Sequence, residues 1–280
     1  MTRLFLASWL SRLDLVNEVN PPYILESFQY LRTTNNENLK KFMGYIKSNK
    51  CKMFLLDSGA FTYMEKIKTD KNLSTNQFEK YVDDYIDFIN KWDIEYFFEM
   101  DIDVVVGLEK VEEYRKRIEE GTGKKTIPVF HRERGKDYFI KMCKEYDYVA
   151  IGGLVGTGYS KKHHKYLQWF VETAHQYNTK IHGLGFTSVE GLKRYNFDTV
   201  DSTSWLSGSR FASFVRWNPI EKKLEKIDKP ENRRMKKGAY KKIDTVAGRE
   251  WIKFGNYLEK HNKEKVLKWE EKEWKKPLYC

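Results

Sequence analysis

Cysteine is scarce in this chain. There are three, Cys51, Cys143 and Cys280, with no CxxC pair and no Cys/His spacing that could build a zinc site. They read as reduced, cytosolic thiols, and neither a structural metal nor a cofactor is expected. Long apolar runs are missing as well. None approaches the roughly 20 residues that a membrane span needs, and MTRLFLASWL is too short for a signal peptide and lacks a cleavage site. The chain also has no internal repeat and no low-complexity segment. The expectation is a soluble, cytoplasmic protein with no membrane partner.

What it lacks in acid it has in base. The formal charge is +11, and from Glu221 to Cys280 there are 19 Lys+Arg against 11 Asp+Glu. Tyr240, Trp251, Tyr257, Trp269 and Trp274 are interleaved with those charges. Such a surface suits a polyanion, most simply nucleic acid, with Lys236, Lys237, Lys241 and Lys242 as candidate contacts. The alternative is a helical segment docked on the main domain by Trp251, Tyr257 and Trp269, its charges facing water. With 280 residues, 40% of them hydrophobic, the chain can bury a sizeable core.

Hydrophobic patterning predicts strands alternating with helices. Strands are expected at Leu4 to Leu10, Met53 to Leu56, EYFFEMDIDVVVG, KTIPVFH, DYVAIGGL, TKIHGLGF, FDTVD and RFASFVRW. Helical stretches are expected near Tyr23 to Leu31, from Asn38 to Ile46, and where Phe78, Tyr81, Val82, Tyr85, Ile86 and Ile89 recur behind a Ser74/Gln77 capping box. Others fall at Glu109 to Glu120, Asp137 to Glu145, Lys161 to Tyr177 and, capped by Ser188, just before FDTVD. The alternation predicts an α/β fold, a (β/α)8 TIM-type barrel over residues 1–217 followed by a basic, mainly helical segment, 218–280, with no zinc subdomain. A doubly wound open sheet is the structural alternative.

Three of these strands end in acid: MFLLD in Asp57, EYFFEMDID in Asp101 and Asp103, and FDTVD in Asp201. A carboxylate at a buried strand end is costly to desolvate without partners or work. Around them the strand ends supply Ser58 and Phe61, His131, the Gly152-Gly153-Leu154 turn, and His182 beside Gly183. The set suits a flat heterocycle stacked between Phe61 and His182 and read at its edge by acids and backbone amides. Singly, each has a plainer reading: an N-cap aspartate, or a glycine that allows a tight turn.

In this order the motifs resemble those of the tRNA-guanine transglycosylase superfamily, (β/α)8 enzymes that exchange guanine for a 7-deazaguanine. Asp57-Ser58-Gly59-Ala60-Phe61-Thr62 is similar to D-S-G-G-[FY]-Q, with Ala and Thr departing, and Met100-Asp101-Ile102-Asp103 to F-D-E-C. Ile127 to His131 stands for G-I-V-Q, Gly152 to Gly156 for G-G-L-A-V-G, His182 to Gly185 for M-G-V-G, and Val200-Asp201-Ser202 for the nucleophile strand. The resemblance implies Asp201 as nucleophile and Asp57 as general acid/base. It implies Asp101 reading the guanine N1 and amino edge, Gly153 on O6, His131 in place of a base-reading glutamine, and Leu154 facing C7. Asp103, Gly152, Gly183 and Ser58 would complete the base site.

The family's C-x-C-x-x-C…H zinc subdomain is missing, and its P-T-R is replaced by Trp205-Leu206-Ser207, with Arg210 the downstream arginine. In this the chain resembles the compact, mostly phage-encoded branch acting on DNA, which would place it in a host cytoplasm. The implied substrates are DNA, in preference to tRNA, and a 7-deazaguanine base. A non-catalytic nucleic-acid-binding barrel and a glycoside hydrolase are the competing readings.

Overall fold

A computed structural model of the chain describes residues 1–69, 75–154, 166–211, 213–227 and 240–270, with the side chains of 66–69, 75–77, 210–211 and 264–270 left aside. The strands are β1 (Arg3–Ala7), β2 (Tyr23–Ser27), β3 (Met53–Asp57), β4 (Val129–Phe130), β5 (Tyr148–Ile151), β6 (Lys180–Gly183), β7 (Thr199–Ser202), β8 (Phe214–Asn218) and β9 (Lys223–Ile227). Helices α1 (Val16–Val19), α2 (Phe28–Leu31), α3 (Asn36–Ile46), α4 (Ala60–Thr69), α5 (Thr75–Trp92), α6 (Asp103–Val106) and α7 (Leu108–Thr122) lie in the first half. Helices α8 (Gly135–Glu145), α9 (Leu167–Gln176), α10 (Val189–Arg194), α11 (Ser207–Phe211) and α12 (Tyr240–Glu270) follow.

Strands β1 to β7 form one parallel sheet in the order β3-β2-β1-β7-β6-β5-β4. Its two edges reach toward the same stretch of chain, because parallel bridges join Leu56 to Phe97 and Phe98 to Ile127. Alternation along each strand then sorts the side chains. Phe5, Tyr23, Leu25, Leu55, Phe98 and Tyr148 pack together on the inside of the curled sheet. Leu4, Ile24, Leu56, Val149, Ile181 and Val200 face the helices and join the larger cluster. Each such side chain, fully buried, contributes about 1.5–3 kcal/mol.

Two sequence expectations are corrected here. The stretch from Tyr23 is a strand, β2, and only Phe28 to Leu31 is helical; a short apolar run has no periodicity to separate the two states. RFASFVRW does not enter the parallel sheet. Its second half is β8, which pairs antiparallel with β9 in a separate hairpin. Smaller shifts are of the same kind: β1 stops at Ala7, where the chain turns into a 3₁₀ segment at Trp9–Arg12. EYFFEMDID supplies only the bridging residues before α6 begins at Asp103. The helices at Asn36–Ile46, Thr75–Trp92, Leu108–Thr122 and Gly135–Glu145 fall where periodicity put them, and Ser188 caps α10 by accepting from the Gly191 amide at 3.2 Å. Ser74 of the expected capping box, and residues 161–165 of the expected Lys161 helix, lie outside the described residues.

Helix α12 lies across the outside of β1. Ile243, Ala247, Trp251, Phe254, Leu258 and Asn262 form its buried stripe. An added Cβ at Gly255 would sit 3.4 Å from the Leu4 side chain, and one at Gly248 3.0 Å from Val19, so the glycines let the helix approach closely. Charged contacts fix its register: Arg12 to Asp244, Lys241 to Asp14, Arg249 to Glu18 and Tyr23 to Glu259.

Candidate active site

Because the strands are parallel, all their C-terminal ends share one rim, and the acids predicted at those ends meet there. Ser27 pairs with Asp57 in register, and β1 separates β2 from β7. Asp57 is half-buried, accepts from the Gly59 amide at 3.1 Å, and receives a hydrogen bond from the Ser27 hydroxyl. Gly59 is at φ +63°, and an added Cβ would lie 2.3 Å from Ser27 Oγ, so this turn needs glycine. Desolvation, with the charges of Asp101 and Asp201, pushes the Asp57 carboxyl up from 3.8 to about 6. Asp57, at the end of β3, thus feels the charges of Asp201 on β7 and of Asp101 in the segment that bridges the sheet's two edges.

Asp201, 8% exposed, is held differently. The Gly185 amide donates to its Oδ1 at 2.6 Å and His182 Nε2 approaches the same oxygen at 3.2 Å. A carboxylate there makes Nε2 the protonated nitrogen, so Nδ1 accepts from Thr199 Oγ1 at 2.7 Å, and Tyr148 closes the chain on Thr199. Beyond Asp201, Trp205 donates to Ala7 O at 2.8 Å and stacks on Trp9, which ties the end of β7 to that of β1.

On the far side of the rim His131 Nε2 hydrogen-bonds Asp101 and lies 3.9 Å from Asp103. Burial lowers the His131 pKa, but the hydrogen bond and the two acidic charges outweigh it and the net shift is upward. Gly152 is required beneath this ring, since an added Cβ would meet His131 Cε1 at 2.8 Å. Asp103 is engaged by Arg134 Nε at 2.8 Å, and Arg134 continues to buried Glu99, which also accepts from Arg115 at 2.6 Å and the Val129 amide at 2.8 Å. Among the described residues Asp101, Asp103 and His131 are the group whose ligand atoms approach closely enough to hold a metal, within 4.8 Å of one another. His131 hydrogen-bonds Asp101 and Arg134 pairs with Asp103, so a cation there would compete with the guanidinium for Asp103.

Several expected base contacts are relocated. His182 is fully buried, its ring near Phe98 and Phe5, so it cannot be one face of a stacking pair; it positions Asp201 instead. Gly183 faces outward, where Phe186, Phe197 and Val200 crowd it. Ser58 is buried, its carbonyl accepting from Tyr81 at 2.6 Å, and Leu154 belongs to the outer core. Asp103 is committed to Arg134. Phe61 does stand at the start of α4, 49% exposed, and Gly153, at φ +67°, is exposed beside His131. Thr199, Tyr148, Ser27 and Arg134 escape a sequence reading, since hydroxyls within strands and an arginine in a turn carry no motif.

Of the proposed nucleic-acid contacts, Lys241 is paired with Asp14. Lys236 and Lys237 lie outside the described residues, as does the side chain of Arg210, while Lys242 is exposed on α12. Cys51 and Cys143 are half-buried and buried, with burial pushing the thiols up to about 11 and about 12. No helix among the described residues is long and apolar enough to cross a membrane.

No protein-family model matches the chain, and no curated protein matches it. Among solved structures, one described as QR15, an aldolase, is similar with a TM-score of 0.44 and 10% identity, over 73% of this chain and 90% of that one. A likeness that loose says nothing of chemistry.

Proposed function

We propose that the protein is a base-exchange transglycosylase that replaces a guanine in nucleic acid, DNA in preference to tRNA, by a 7-deazaguanine. In this reading the sheet is a (β/α)8-type barrel with Tyr96 to Glu99 as its eighth strand and α12 as its closing outer helix. The observation that carries the reading is that Asp57, at the end of β3, lies within reach of Asp201 on β7 and of Asp101, whose charges help raise it to about 6.

The chemistry needs two different carboxyls. Asp201, oriented by His182 and the Gly185 amide, attacks C1′ of the guanosine through an oxocarbenium-like transition state. The C1′–N9 bond breaks, and the electron pair leaves with guanine. Guanine is a poor leaving anion, so a proton must arrive with it, and Asp57, raised to about 6, can hold one far closer to neutrality than an ordinary aspartate. The incoming base returns a proton to Asp57 and attacks the glycosyl ester, restoring Asp201. Asp101, backed by His131, offers a carboxylate to the N1 and amino edge of the base, and Phe61 one stacking surface. In a duplex the guanine must first be extruded, at a cost of a few kcal/mol. Lys242 and Arg210, with Lys236 and Lys237, would contribute phosphate contacts.

The test is nucleoside mass spectrometry of DNA and tRNA from cells that express the protein and are supplied with 7-deazaguanine bases. A 7-deazaguanosine in DNA, lost in the Asp201→Asn variant, is expected. The modified nucleoside in tRNA alone would reassign the substrate, and its absence from both would reject the reading.

A further inference from the structure

A pocket lies on the outer side of the sheet, beside the rim. Its volume is about 430 Å³, and Ser8, Ser11, Glu26, Tyr30, Thr33 and Leu206 contribute to its lining. Strand alternation produces it: Ser27 turns inward to Asp57, so Glu26, one residue earlier, turns outward. Glu26 is 2% exposed. Its two oxygens accept from the Leu10 amide at 2.8 Å and the Ser27 amide at 3.1 Å. A carboxylate has about four lone-pair sites, so acceptor capacity remains. Burial, offset by these two amides and reinforced by Asp57, brings the group up to about 7. Capping the Trp9–Arg12 turn does not require an acid, and placing one so near Asp57 is costly.

The pocket shares a wall with the reaction site. Ser27, whose amide binds Glu26, gives its hydroxyl to Asp57, and Leu206 stands on the turn just after the strand that carries Asp201. No lysine or arginine lines it, which disfavours phosphate. An aromatic ring that is 49% exposed, hydroxyls and an under-used acceptor suit a flat heterocycle bearing an amino group. Resting on the transglycosylase reading, we propose that this pocket is a subsite for the base next to the exchanged guanine. It selects a base with an exocyclic amine, which donates to Glu26 while the ring lies against Tyr30.

Exchange on oligonucleotides with randomised flanks, read by sequencing of modified products, tests this. Wild type should favour an amine-bearing base over thymine at one adjacent position by about tenfold, the scale of one base-edge contact. Thr33→Trp, which fills the pocket from its exposed lip, should abolish that ratio, and Glu26→Gln should reduce it. Free deoxycytidine should bind saturably, perturbing Tyr30 resonances, with thymidine at least about tenfold weaker and Thr33→Trp blocking both. Exchange with no flank preference, or with the same preference in Thr33→Trp, overturns the subsite. Absence of exchange on every substrate, with deoxycytidine binding that Thr33→Trp abolishes, overturns the transglycosylase reading while upholding the chemistry of the pocket.

Discussion

Asp57 and Asp201 sit at equivalent places, each an inward-facing acid at the end of a parallel strand, yet their surroundings differ. Asp57 has a hydroxyl and one amide against its desolvation, and two acids in view. Asp201 has an amide and an imidazole, the latter anchored through Thr199 to Tyr148. The first arrangement favours keeping a proton; the second fixes and aims the side chain. Residue type alone does not assign acid and nucleophile, because environment divides the two roles.

The largest effect should come from erasing one side of this contrast. Asp201→Asn should lower exchange by about 10⁴-fold or more, measured as turnover on a defined oligonucleotide, with the circular dichroism spectrum unchanged. Asp57→Asn should cost about 10²–10⁴-fold by removing proton transfer while base binding is partly kept. Equal, small losses in both variants would dissolve the division of labour.

The pH dependence sharpens it. Cleavage of the first glycosidic bond uses protonated Asp57, so its single-turnover rate should fall as pH rises through about 6. In Asp57→Asn that limb should disappear. The linked stability has a definite sign. Asp57 rises from 3.8 to about 6 and Glu26 from 4.5 to about 7, so over that span the folded chain holds protons the unfolded chain has released. Stability should therefore decline from about pH 4 to about pH 7 and level off above. Glu26→Gln should flatten the slope by about 1 kcal/mol or more in denaturant titrations across that window.

A smaller loss is expected one residue further out. His182→Asn keeps a polar group but shifts the support under Asp201, and about a 10²-fold fall in kcat with little change in KM is the signature of misalignment. Smallest of all, Lys241→Ala should leave stability essentially unchanged in denaturant titrations, since its pair with Asp14 is exposed. A large loss of DNA affinity in that variant, with an altered salt slope, would restore the lysine to the nucleic-acid face.

Much of this contrast is visible in the sequence, but not its details. Apolar runs ending in Asp57, Asp101 and Asp201 identify the rim, because alternating strands and helices leave parallel strand ends together. What goes unseen is the face each residue takes. His182 and Gly183 are neighbours in one motif, yet the pleat sends the imidazole inward beneath Asp201 and the glycine outward against Phe186. The expected eight strands become seven in the sheet, and the members change. Tyr23–Ser27 replaces the expected final strand, and Phe214–Asn218 pairs with β9 instead. The basic tail reads as a polyanion surface by charge, whereas its stripe from Ile243 to Leu258 and the Arg12–Asp244 pair show how α12 docks.

The central claim is that Asp201, and not Asp57, becomes covalently attached to the sugar. Rapidly quenched wild-type protein, mixed with a guanine-containing oligonucleotide in the absence of incoming base, can be digested and its peptides sequenced by mass spectrometry. The account predicts a glycosyl ester on the peptide containing Asp201, absent in Asp201→Asn and accumulating as guanine is released. An ester on Asp57, or brisk exchange by Asp201→Asn with no adduct, would contradict it.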